Sequence, residues 1–383
     1  MNLVIFSSEA KGLSSLNGII EEANNRGINI FVMVCQDTQL RHPTTNRDKF
    51  QILTNCDTID SIYSDTLGVQ LPFKPDWLII NRERWEPELS IIKEFKQKFN
   101  TKIGIVEPNA YMLGNAENNL EIRSKNRFKD IIDVFFIHST QAKNIHLISG
   151  FEGNMVITGN PKYDINFKVD EQTTKSLKEY YNVDDNKKQV LLFSLINQHR
   201  DNINTIFKDI IKSNPDTQYF YKPYPGEPWL PNFKKDFYPS FFLDNCTPII
   251  NETDIWGMFD ICDEHIGCMS SIIHATLLKN KKYRDLSLEL KIDEKYLDSS
   301  WIYEKGGVGI ENDIEMWVRS FGLKDIDQLK ELLPISYFNK VKILNQKVWD
   351  NLNSNKNLLT VFDDFNDFKA SKRIINYILE HEK

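Results

Sequence analysis

The feature that most constrains this chain is an alternation of short, mostly apolar runs with longer amphipathic stretches. Residues 3–6, 28–34, 77–80, 102–106 and 134–137 are rich in β-branched and aromatic side chains. Their length and composition suit strands buried on both faces, since a strand wetted on one face alternates in polarity instead. Between them, segments 14–25, 86–99, 115–131 and 140–149 read as helices. Such an order predicts an α/β fold: a parallel sheet covered on both faces, with right-handed crossovers. Residues 1–158 are therefore expected to form a Rossmann-like domain.

The pattern restarts beyond Pro161, with strands expected over 190–194, 218–221 and 263–266 and helices over 203–212 and 271–278. A second Rossmann-like domain is expected over 159–360. At the junction, Thr158-Gly159-Asn160-Pro161-Lys162-Tyr163-Asp164 groups Gly, Asn and Pro after an apolar run, which suits an interdomain hinge. Residues 361–383 are expected to form a helical C-terminal tail that returns to the first domain, with Ile374, Ile375, Tyr377, Ile378 and Leu379 giving it an apolar side. The length, 383 residues, accommodates this plan at ~150 residues per domain. A hydrophobic fraction of 41% supplies both cores.

Charge and motifs exclude several function classes. Lys and Arg total 47 against 54 Asp and Glu, a net charge of −7, which disfavours a nucleic-acid partner but permits a local phosphate pocket. Cys35, Cys56, Cys246, Cys262 and Cys268 are odd in number and form no CxxC pair, so a reducing compartment is expected. No run approaches ~18 apolar residues and the chain opens on a strand without a secretory leader; a cytoplasmic protein with at most peripheral membrane contact is expected. GxGxxG, Walker, HExxH, GxSxG and EF-hand patterns are missing, and the histidines show no metal-ligand spacing. Neither a cofactor nor a catalytic metal is expected.

Ligands of open α/β sheets bind beyond the carboxyl ends of strands, and three such loops in the first half carry carboxylates. They are Ser7-Ser8-Glu9, Asn81-Arg82-Glu83-Arg84 and Glu107-Pro108-Asn109. Glu83 stands between two arginines, an ion-paired setting, so Glu9 and Glu107 rank above it as general base. Ser139, at the start of a helix, reads as its cap.

In the second half the order is VITGNPKYD, a helix, the strand VLLFS, LINQHRDN, and a further strand leading into YKPYPGEP. This order resembles the second half of the UDP-N-acetylglucosamine 2-epimerases and of the related CDP-glycerol glycerophosphotransferase-like and polysaccharide-building transferases. Residues 158–161 match the family hinge, His199, Arg200 and Asn202 an HRxEN-type loop, and residues 222–225 a P-H-P-type turn. The match covers about the middle third of the chain. Two positions depart from it. The epimerases carry a DSGG-type loop, whereas residues 267–278 here read GCMSSIIHATLL, similar to the serine-rich loop of the transferases. His274 stands where transferases often place an acidic residue for the ribose.

The resemblance implies the GT-B fold, two Rossmann-like domains facing a central cleft, with donor against the second domain and acceptor against the first. It implies metal-independent transfer of a sugar from a nucleotide-sugar donor to a surface-polysaccharide or lipid-linked glycan acceptor. Ser270, Ser271 and the helix start behind them would hold the diphosphate with Arg200 and Lys222. His199, Tyr224, Glu227 and His274 would complete the donor site, and Glu9 or Glu107 would take the acceptor proton. A non-hydrolysing sugar-nucleotide 2-epimerase and a non-catalytic carbohydrate-binding relative are the alternatives.

Overall fold

The computed structural model describes residues 1–7, 13, 15–35, 56–59, 71–81, 86–107, 129–148, 151–166, 169–193, 200–223, 243–249, 254–267, 272–286 and 363–382. The chain divides into two compact units, Met1–Ile165 with Leu297–Lys383, and Asn166–Tyr296.

The first unit is built on β1 (Asn2–Ser7), α1 (Asn17–Asn25), β2 (Asn29–Cys35), β3 (Cys56–Ile59), β4 (Trp77–Ile80), α2 (Glu86–Phe99), β5 (Lys102–Val106), β6 (Val134–Ile137), α3 (Thr140–Ile148), β7 (Met155–Ile157) and α4 (Lys162–Asn166). Its strands form one parallel sheet in the order β3-β2-β1-β4-β5-β6-β7. Alternate residues of one strand feed two cores. Val4 and Phe6 pack with Phe95, Ile105 and Phe135 on one face, while Leu3 and Ile5 pack with Ile19, Ile79 and Phe136 on the other.

That second face is closed by α9 (Ala370–Glu380), whose Ile374, Ile375 and Ile378 are fully buried in the same cluster. Tyr377 sets its ring edge against Trp77 and Phe136 and its hydroxyl accepts from Asn154 Nδ2 at 3.0 Å. α9 lies so close to α1 that a Cβ on Gly18 would collide with the Ser371 hydroxyl.

Polar contacts fasten this helix to residues 158–164. Asp164 accepts the N–H groups of Ser371 at 2.6 Å and Ala370 at 3.3 Å, serving as a distant cap for a helix whose own Lys369 provides none. Asp363 accepts from the Asn160 N–H at 3.0 Å, and Arg373 donates to the Thr158 carbonyl at 2.9 Å. Between them Gly159 has φ +86°, and a Cβ there would stand 2.8 Å from the Asp363 carboxylate. Glycine is therefore required on both conformational and steric grounds.

The second unit contains α5 (Glu171–Tyr180), β8 (Lys188–Phe193), α6 (Arg200–Ser213), β9 (Thr217–Lys222), β10 (Cys246–Pro248), α7 (Ile255–Ile261), β11 (Glu264–Gly267), α8 (Ile272–Leu278) and β12 (Lys282–Asp285). Its parallel sheet has the order β10-β9-β8-β11-β12. Ile203, Phe207 and Ile211, at helical spacing on α6, pack on Val190, Leu192, Tyr219 and Tyr221 of the sheet. Asp170 caps α5 by accepting from the Thr173 N–H at 2.6 Å.

Eight strands expected from the sequence are present, with ends displaced by up to two residues. The four not expected, β3, β7, β10 and β12, are the outer strands of the two sheets. An outer strand needs less apolar surface, and KYRD or CTP carries no buried-strand signature. The helix expected over 115–131 falls, except for its last three residues, outside the described residues. Among the described residues, no helix is long and apolar enough to cross a membrane.

Asp164→Ala should cost about 1–2 kcal/mol, the usual range for a lost cap, and Asp164→Asn less. Urea unfolding of the two variants beside the parent protein checks this.

Candidate functional site

Parallel α/β sheets take ligands beyond the carboxyl ends of their strands, where the strand order reverses. In the first sheet the chain builds outward through β2 and β3, then restarts on the other side of β1 with β4, so the reversal lies between β1 and β4. In the second sheet it lies between β8 and β11.

The carboxyl edge of the first sheet is polar and buried. β1 ends in Ser7, while β4, β5, β6 and β7 run directly into Asn81, Glu107, His138 and Thr158; all five are at most 1% exposed. Such groups need partners, because burial strips them of water. Ser7 Oγ donates to Asn81 Oδ1 at 3.4 Å. His138 Nε2 bonds the Glu107 carbonyl oxygen at 2.7 Å, and the Glu107 carboxylate bonds Nε2 of His146 on α3. The Thr158 N–H donates to the Ile137 carbonyl at 2.8 Å. Ser139 is indeed a cap, its hydroxyl accepting from the Ala142 N–H at 3.1 Å. A carboxylate, imidazoles, a hydroxyl and an amide on one edge can bind hydroxyl groups and accept a proton. Glu9 lies two residues beyond Ser7 and outside the described residues.

In the second sheet, Phe193, Lys222, Gly267 and Asp285 are the last residues of β8, β9, β11 and β12. Lys222 is partly buried and pairs in register with Phe193. Arg200 is the first residue of α6. His199, Tyr224, Glu227, Ser270 and Ser271 lie outside the described residues. His199 belongs to the segment leaving β8, and the two serines to the segment leaving β11, the strands that flank the reversal. His274, on α8, is 1% exposed and so belongs to the interior of the unit.

Sequence reasoning did not single out His146 or His265, each a polar residue within a buried element. His265 on β11 is fully buried, its Nδ1 bonded to Thr276 Oγ1 at 2.8 Å and its ring edge-on to Phe259. Burial, reinforced by Lys281, pushes its pKa down to about 3.

Sequence comparison finds no matching family model and no matching curated protein. Comparison of folds does find likenesses. UDP-GlcNAc 2-epimerase from Neisseria meningitidis, solved bound to UDP-GlcNAc, aligns over 100% of both chains with a TM-score of 0.60 and 16% identity. The wall teichoic acid polymerase TagF aligns over 100% of this chain and 88% of its own, with a TM-score of 0.57 and 15% identity. MnaA of S. aureus, solved with UDP, gives a TM-score of 0.59 at 16% identity over 98% of this chain and 95% of its own. At these identities the likeness defines a fold class: two Rossmann-like units of the GT-B type, shared with the epimerases and with TagF.

Because the folded value of His265 lies below the ordinary ~6.5, the unfolded chain binds a proton there that the folded chain refuses. Its contribution to stability is present above about pH 6.5 and declines as pH falls toward about 3. Between about pH 7 and about pH 5, His265→Leu should lose less stability than the parent protein, by up to about 1.4 kcal/mol per pH unit. Urea midpoints at both values measure it.

Proposed function

We propose that the protein is a sugar-nucleotide enzyme that moves a sugar from a nucleotide-sugar donor to a hydroxyl of a surface-polysaccharide or lipid-linked glycan acceptor. The observation that carries this reading is the reversal between β8 and β11. The segments leaving those strands bear His199 and Arg200 on one side and Ser270 and Ser271 on the other. Arg200 and Lys222 supply positive charge for a diphosphate, and the fourteen-residue α6 adds the favourable end of its dipole. Tyr224, Glu227 and His274 are assigned to the same donor site, with His274 acting from within the unit. UDP-GlcNAc and UDP, named with two of the similar structures, support a nucleotide-linked donor.

In this mechanism the acceptor oxygen forms the new bond to the anomeric carbon as the bond to the diphosphate breaks. Glu9 or Glu107 takes the hydroxyl proton, and Arg200 and Lys222 hold the departing charge. Glu107 would exchange its bond to His146 for one to the acceptor. The missing metal-ligand spacing in the sequence supports a metal-independent route, and the cysteine pattern a reducing, cytoplasmic setting. A second reading, epimerisation of the sugar nucleotide itself, draws support from the full-length likeness to the N. meningitidis enzyme.

A panel of labelled UDP-, GDP-, CDP- and CMP-linked donors, incubated with acceptor glycans and EDTA, separates the readings. Transfer in EDTA is the expected result; an epimerised donor indicates the second reading, and no binding of any donor defeats both. Arg200→Ala should weaken donor binding about tenfold or more, the effect of losing a charge-assisted contact. Replacing the base, by Glu9→Gln or Glu107→Gln, should lower turnover ~10²–10⁴-fold with donor affinity unchanged. Full turnover in both variants removes these carboxylates from the mechanism.

A further inference from the structure

Asn81 follows β4 at the strand reversal of the first sheet and is 1% exposed. Its Oδ1 accepts from Ser7 Oγ, whereas its Nδ2, among the described residues, has no hydrogen-bond partner. A buried amide donor left unsatisfied is a cost to the fold, and its position bears on what it is for. Trp77 Nε1, at the amino end of the same strand, also has no partner among the described residues, but that ring is packed by Tyr377 of α9. Asn81 instead stands on the edge where sheets of this kind receive ligands.

We propose that Asn81 Nδ2 donates to a hydroxyl oxygen of a neutral sugar or polyol bound at the carboxyl edge of the first sheet. The neighbouring chemistry selects that class. On either side of β4, the adjacent strands lead into Ser7 and Glu107. A carboxylate on this edge repels phosphate, whereas a sugar hydroxyl accepts from the amide and still has its own proton to donate. That this ligand is the acceptor of the transfer rests on the function proposed above; that it binds here does not.

Asn81→Leu keeps the volume and removes the donor, and Asn81→Ser is a second variant should the first not fold. Saturation-transfer NMR with glycerol, glucose and N-acetylglucosamine reads binding without turnover, with inorganic phosphate, followed by the broadening of its phosphorus resonance, as the anionic arm. The parent protein should bind a neutral probe in preference to phosphate, and the variants should bind it about tenfold more weakly. The urea midpoint of Asn81→Leu should equal or exceed that of the parent, because removing the unsatisfied buried amide donor outweighs losing the long 3.4 Å bond from Ser7. A parent protein that binds no neutral probe, variants that bind as well as the parent, or a lowered midpoint for Asn81→Leu would each overturn the proposal. Donor thermal shifts on the same samples report separately on the second unit, so failure of the transferase reading is distinguishable from failure of this one.

Discussion

The first unit depends on keeping both faces of a parallel sheet away from water. β1, β4 and β6 are apolar on either side, so each face needs its own cover, and on one face α1 is joined by α9. The covering helix comes from the far end of the chain, which makes its attachment a folding problem over more than two hundred residues of separation. Asp164, Asp363 and Arg373 solve it by binding main-chain groups at residues 158–160 and at the helix start. Such contacts fix backbone position directly, and they explain why Gly159, with its positive φ and the Asp363 carboxylate beside it, accepts no side chain.

An apolar sheet that ends in polar residues concentrates chemistry at its edge. Within the strands nearly every buried group is hydrocarbon, whereas Ser7, Asn81, Glu107, His138 and Thr158 stand at the carboxyl ends with almost no exposure. Removing water makes each unsatisfied group expensive and each satisfied one strong. Glu107 and His146 are tied together there, and His138 holds the Glu107 main chain. The second unit applies the same geometry with different residues, placing Lys222 and the start of α6 at its carboxyl edge.

Much of the fold was legible in the sequence because central strands of a parallel sheet must be uniformly apolar, and LVIF, WLII and VFFI are. The outer strands β3, β7, β10 and β12 were not legible for the converse reason: among the described residues, one side of each has no strand neighbour, which relaxes the requirement. The candidate site was legible as loops at strand ends, and Glu107 stands at such an end. Its partner His146 was not, because pairing across thirty-nine residues depends on how α3 lies against β5 and leaves no local pattern. His265 was missed because a buried histidine in a strand is written in sequence as any other polar residue.

In the function proposed above, a nucleotide-linked sugar is held by the second unit at the reversal between β8 and β11. Hydrogen–deuterium exchange with and without saturating UDP- or CDP-linked donors tests it most directly. Slowed exchange concentrated in peptides that follow Phe193 and Gly267 and at the start of α6 is the expected result, with the carboxyl edge of the first sheet unchanged by nucleotide alone. Protection confined to the first unit, in peptides after Ser7, Asn81 and Glu107, would contradict it.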